Sequence, residues 1–325
     1  SKLHALRTGA ARAALVAAAI AKERKRPAPV IQPTGLHWER HYWFRTNSYV
    51  EYIDPIEIKQ VFGPEETSRL ASGEWIEPPP QAVNELKEEM YLKLSPLTPE
   101  APDWKTYRAW KLIAHLKANN NSNPLISLRQ EVHSTRTIRD DINNNKQYEA
   151  LIPDAVKAAE ILESHALDSN SIDINQKLKK TNLLSHIKGL LGLLIMISLS
   201  IPTILGSGIQ SILARYMAEK SDEGLDARTT YFFLAGMFSP VIFWPIISLV
   251  IIIVIEANIL SIQGLSLFIS LMIGFYLSSL LFLMGYDIWS EYRKRLQIDK
   301  FSKSLEGQNF ESLIEKLNNQ LVLLK

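Results

Sequence analysis

The sequence predicts an all-α membrane protein: a transmembrane helical hairpin plus a kinked or re-entrant helix, with an extended, Pro- and aromatic-rich N-terminal region and amphipathic helices outside the membrane. Two observations carry this prediction. Residues 189–214, 229–255 and 257–286 contain no Asp, Glu, Lys or Arg, and at 1.5 Å of rise about 20 apolar residues span the hydrocarbon of a bilayer. The basic residues flank these runs, with Lys177, Lys179, Lys180 and Lys188 before the first and Arg293, Lys294, Arg295, Lys300 and Lys303 after the last. A mean hydropathy of −0.02 conceals the pattern, because the remaining chain is as polar as the runs are apolar.

Taken in order, residues 1–26 form a basic amphipathic helix, rich in Ala, with seven Lys or Arg against Glu23 alone. That composition matches a mitochondrial targeting helix or a basic surface helix lying on anionic lipid or another subunit. Residues 27–117 are an extended docking segment in which clustered prolines (Pro27, Pro29, Pro33; Pro78, Pro79, Pro80; Pro96, Pro99, Pro102) oppose long helices and central strands. Short helices are expected only over 55–61, 81–94 and 104–117. Its tryptophans Trp38, Trp43, Trp75, Trp104 and Trp110 are candidate protein anchors. Residues 118–188 are an Asn-rich linker with helices at 125–141 and 153–166.

The membrane domain is 189–286. Pro202 breaks the first run, and with basic segments required on one side the first run is expected to be re-entrant and the other two to span. Glu256, Asn258 and Gln263 form a polar turn between the last two runs. Residues 287–325 end in an amphipathic helix with Phe310, Leu313, Ile314, Leu317, Leu321 and Leu324 at spacings of three and four.

The chemistry is bounded by what the composition omits. With no cysteine there are no disulfides, thiolate metal sites or Cys nucleophiles. There is no Gly-rich phosphate loop, no His-Glu-x-x-His and no Gly-x-Ser-x-Gly. His37 and His41, with Glu39 between them, sit among Trp38, Tyr42 and Trp43 and are taken as an aromatic docking loop in preference to a metal site.

Over residues 125–325, the run carrying Pro202, the stretch Ile212-Leu213-Ala214-Arg215-Tyr216-Met217-Ala218-Glu219-Lys220, then Phe238-Ser239-Pro240, then Gly285-Tyr286-Asp287-Ile288 leading to Arg293 form an ordered series. This series resembles the C-terminal membrane region of the glycerol-3-phosphate and dihydroxyacetone-phosphate acyltransferases. In that family a His, four residues and an Asp carry the acyl transfer, the carboxylate orienting the imidazole as general base. None of His4, His37, His41, His115, His133, His165 and His186 has an Asp at that spacing. The resemblance therefore implies a membrane anchor without the catalytic half.

The sequence thus predicts no catalytic residue and no metal ligand. The expected function is a non-catalytic accessory membrane subunit of a large complex in the mitochondrial inner membrane, a respiratory complex or ATP synthase. The alternative is an acyltransferase-related lipid-binding protein lacking its own active site. Lys180, Lys188, Arg215, Arg293, Lys294 and Arg295 are expected to meet lipid headgroups. Expected partners are other membrane-complex subunits and anionic lipids, with no nucleic acid; no cofactor is expected beyond a structural phospholipid such as cardiolipin.

Overall fold

The computed structural model describes residues 2–39, 46–145, 148–220, 225–255 and 258–324. It is 72% helical and clusters into a polar unit, which holds the described residues up to Glu39, from Asn47 to Lys177 and from Asn309 onward, and a largely apolar unit, which holds Leu178–Gln308 and Thr46.

In the polar unit, α1 (Gly9–Glu23) turns Ala11, Leu15, Val16, Ala18 and Ala19 inward. They share a core with Ile56, Ile58, Phe62, Leu70, Val83, Leu86 and Met90. Full burial of a Leu or Val is worth about 1.5–3 kcal/mol, so the apolar face of α1 is committed to its own chain and is not free to lie on lipid. The next element is a long two-stranded ribbon. β1 (Val30–Ile31) pairs antiparallel with β4 (Ile56–Glu57), and β2 (Thr34–Trp38) with β3 (Ser48–Tyr52). Pro33 and Pro55 interrupt the ladder between the two pairings, as proline must where a strand N–H is needed. The short helix expected over 55–61 is therefore absent. Ile56 and Ile58, two residues apart, point into the core together as strand periodicity dictates.

Helices fill the remainder of the stretch expected to be extended. α2 (Pro64–Ala71) starts with Pro64 in its first turn while the Glu66 carboxylate accepts the Gly63 N–H at 2.9 Å. It stops at Gly73, whose φ of +100° suits glycine. α3 (Pro80–Leu94) buries Val83, Leu86 and Met90, close to the expected span. α4 (Trp104–Asn120) is capped by Asp103, which accepts the Thr106 N–H at 2.7 Å. From Ala109 to Leu116 every residue except Lys111 is buried, the pattern of a central helix. Around it pack α5 (Leu128–Asn145) and α6 (Ile152–Ser164). α11 (Leu305–Leu323) buries Phe310, Ile314, Leu317 and Leu321. The Lys316 ammonium of α11 lies 2.6 Å from Asp154 of α6, and Leu321 shares a cavity wall with Lys117 and Tyr148.

The apolar unit contains α7 (Leu183–Lys220), α8 (Leu225–Phe238), a π turn at Ser239–Phe243, α9 (Trp244–Val254) and α10 (Ile262–Ser302). Three stretches are long and apolar enough to cross a membrane: Leu183–Lys220, Thr230–Val254 and Ile262–Ser302. α7 runs unbroken through Pro202, contrary to the expected break. In an apolar surround, neighbouring groups compensate the lost backbone bond. The irregularity falls in the second run instead, at the π turn beside Pro240.

α7 and α10 lie antiparallel. Gly189 faces Tyr292, Gly192 faces Gly285 and Gly206 faces Phe275, while the Thr181 N–H donates to Asp299 at 3.1 Å. A Cβ at Gly192 would stand 2.8 Å from the Gly285 carbonyl oxygen, and one at Gly285 would stand 2.9 Å from that of Gly192. Only glycine lets these two backbones approach so closely, the usual device of helices packed in lipid.

Candidate functional site

The ribbon is where polar chemistry concentrates. Alternation places Gly35 and His37 of β2 with Tyr49 and Glu51 of β3 on one face, and that face meets α5. Arg136 of α5 donates to both Glu51 oxygens, at 2.9 and 2.7 Å, and to the Leu97 carbonyl at 3.1 Å. Its Nη2 also lies 3.3 Å from His37 Nε2. The Tyr49 hydroxyl is 3.3 Å from His133 Nε2, and its ring stacks on His37 with centroids 5.6 Å apart.

Burial pushes His37 below the ordinary imidazole value, the Arg136 guanidinium pushes it further, and the nearby Glu51 carboxylate does not compensate. The neutral ring can then accept from Arg136. Glu51 is held below the usual carboxylate range, chiefly by its hydrogen bonds from Arg136. Gly35 makes room for the cluster: a Cβ there would stand 2.9 Å from His37 Nε2 and 3.3 Å from Leu97 Cβ. The adjoining cavity, lined by His37, Tyr107, Arg136 and Arg139, holds only about 10 Å³, about the size of one water. The cluster is built to clamp the ribbon onto α5.

The other ribbon face is different. Leu36 and Val50, direct cross-strand partners, are 55% and 42% exposed, and Tyr52 is 69% exposed. These three form an apolar surface on an element whose back is pinned. Nothing in local sequence announced the clamp, because Glu51 and Arg136 lie 85 positions apart.

A second buried pair lies nearby. Lys111 of α4 bonds Glu131 of α5. Burial alone would depress the ammonium, but the Glu131 carboxylate and Tyr107 raise it above its ordinary value. An open groove of about 570 Å³ runs between Ser95–Pro102 and helices α4 and α5. Three of its charged groups are engaged: Arg139 donates to Asp140 at 2.9 Å and to the Thr98 carbonyl at 3.0 Å, and Glu100 accepts from Leu3 N at 3.0 Å.

The residues singled out from sequence fall into distinct places. Trp75 and Trp104 are 59% and 56% exposed, and Trp38 is half-buried at the end of β2. Trp110 is 3% exposed, packed inside as part of α4, so it is unavailable to a partner in the folded chain. Trp43, His41, Tyr42 and Glu256 lie outside the described residues. Lys188, Arg293, Lys294 and Arg295 sit where α7 begins and α10 turns polar, with Lys180 just before α7. Arg295 donates to the Ser185 hydroxyl at 3.2 Å and to Glu291 at 2.7 Å. Arg215, paired with Glu219 at 2.8 Å, is 27 residues further along α7, or about 40 Å. The six cations therefore fall into two groups, one where α7 begins and α10 turns polar and one near the end of α7. Among the described residues no group of three or more His, Asp or Glu is placed to hold a metal ion.

No protein-family model, curated protein or solved structure matches this chain.

Proposed function

We propose that this chain is a non-catalytic accessory subunit of a larger membrane complex, anchored by its apolar unit and docked to a partner subunit through the outer face of the β2–β3 ribbon. The observation that carries the reading is the exposed Leu36–Val50–Tyr52 surface on a ribbon whose opposite face is fastened by a buried ion cluster. A two-stranded ribbon is marginal by itself; clamping it on α5 gives a rigid apolar face, a form suited to receiving another chain. The composition of residues 1–26 supports a mitochondrial inner membrane, and the two cationic groups on α7 and α10 support anionic phospholipid, such as cardiolipin, as a structural partner.

The test is native electrophoresis after gentle extraction, with mass spectrometry of the band. The expected result is a particle of several times the 36.9 kDa chain mass, from which the double variant Leu36→Asp/Val50→Lys is released without loss of helical content. Migration of the parent as a small species that binds lysolipid would instead support the acyltransferase-related reading, which rests on the residues from Pro202 to Lys220, on Phe238-Ser239-Pro240 and on the residues from Gly285 to Arg293.

A further inference from the structure

The α7–α10 pair supplies a depth scale against which the second apolar run can be placed. Because the two helices are antiparallel, the end of α7 at Lys220 and the start of α10 at Ile262 lie at one end of the pair. The opposite end holds Thr181 and Asp299. Gly206 and Phe275 mark a common level, about 20 Å in from the Lys220–Ile262 end on either helix.

Trp244, the first residue of α9, packs its ring against Phe275 with centroids 6.4 Å apart. The second run has therefore already reached this depth when α9 begins. α9 is 11 residues long, about 16 Å. If it continued inward, Val254 would end about 36 Å from the first turn of α10. The eight peptide steps from Val254 to Ile262 reach about 28 Å at full extension. α9 must therefore run back toward the end from which α8 came, and the π turn beside Pro240 is where the direction changes.

We infer that α8 and α9 form a re-entrant hairpin rather than a span, entering from the face where α7 ends and α10 begins, and that acyl chains of that single leaflet cover its outward face. Gly206, level with the tip, is nine residues from Arg215 and 18 from Lys188, about 14 and 27 Å along the helix. The tip thus stays on the Arg215 side of the bilayer centre. Phe233, Val241, Ile246, Val250 and Ile253 are exposed on the hairpin, and residues 229–255 hold no charge, so hydrocarbon is the occupant their chemistry fits. The buried face, Trp244, Ser248 and Ile252, is turned inward on the unit. The chain then crosses the bilayer twice, and residues 178 and 308 emerge on one side.

The chain has no cysteine, so single substitutions label without background. Lys180→Cys, Lys220→Cys, Leu260→Cys and Lys303→Cys are each treated with a membrane-impermeant maleimide in sealed vesicles of uniform orientation, before and after detergent. All four are surface positions, and each variant is first checked for the parent's helical content. The inference requires Lys220→Cys and Leu260→Cys to label together from one face, and Lys180→Cys and Lys303→Cys from the other. Labelling of Lys220→Cys and Leu260→Cys from opposite faces would show the second run crossing and overturn the proposal. Labelling of all four from one face would equally overturn it, since α7 and α10 would then not span.

Discussion

At the scale of single residues, Arg136 and Glu51 form a largely buried ion pair in which each satisfies the other. Removing one partner of such a pair leaves an uncompensated charge, at a cost of about 3–5 kcal/mol in buried sites. Glu51→Gln should therefore lower the melting temperature of the detergent-solubilised protein markedly, by more than any substitution at the exposed Arg12–Glu77 pair. The clamp also has a pH sign. The folded value of His37 is below its unfolded one, so its contribution is full above the ordinary imidazole value of 6.5 and is lost as pH falls through it toward the folded value. Glu51 acts in the same direction, contributing above the ordinary carboxylate range and failing as pH drops through its depressed value. Melting temperature measured from pH 8 downward should fall first in the imidazole range, and His37→Gln should flatten that first decline while sparing the later one. The sequence marked His37 as notable but assigned it to an aromatic docking loop on account of Trp38, Tyr42 and Trp43, while its partners lie up to 99 positions away. Only the register Gly35↔Glu51 and the packing on α5 bring them together.

At the scale of elements, the Gly192–Gly285 crossing decides how α7 and α10 meet. A side chain there must push two backbones apart, and overpacking of this kind costs about 1–3 kcal/mol or more. Gly285→Val is expected to lower resistance to unfolding in detergent, while Gly274→Ala, where an added Cβ meets nothing within 4 Å, should leave it within about 0.5 kcal/mol of the parent. The apolar runs and the amphipathic α6 and α11 were legible because their residue periodicity is strong over many turns. The ribbon was not: its strands are two and five residues long, and the surrounding prolines argue against strands until one sees that they fall at breaks in the ladder. α2 was missed although Pro64 and Glu66 mark its start, a signal available in the sequence. Pro202 misled for a physical reason, since proline breaks helices in water far more strictly than inside a helical assembly in lipid.

At the scale of the whole molecule, the polar unit is assembled from both ends of the chain, with α11 supplying Phe310, Ile314, Leu317 and Leu321 to its interior. The Lys316–Asp154 pair is exposed on the α11 side and adds little, so the apolar face does the holding. Leu317→Asp buries a charge among these groups and should abolish cooperative melting of the polar unit, whereas Lys316→Ala should change it by less than about 1 kcal/mol. Proteolysis resistance of residues 1–177, followed by peptide mapping, would distinguish the two outcomes. The same arrangement sets an order of manufacture. About 130 residues separate Lys177 from Asn309, and until both parts are present the surface reserved for α11 stays bare. The polar unit is therefore complete only once the apolar stretch between its two parts has been made. A chain truncated before Asn309 should leave that unit open and sensitive to protease, although every residue up to Lys177 is still in place.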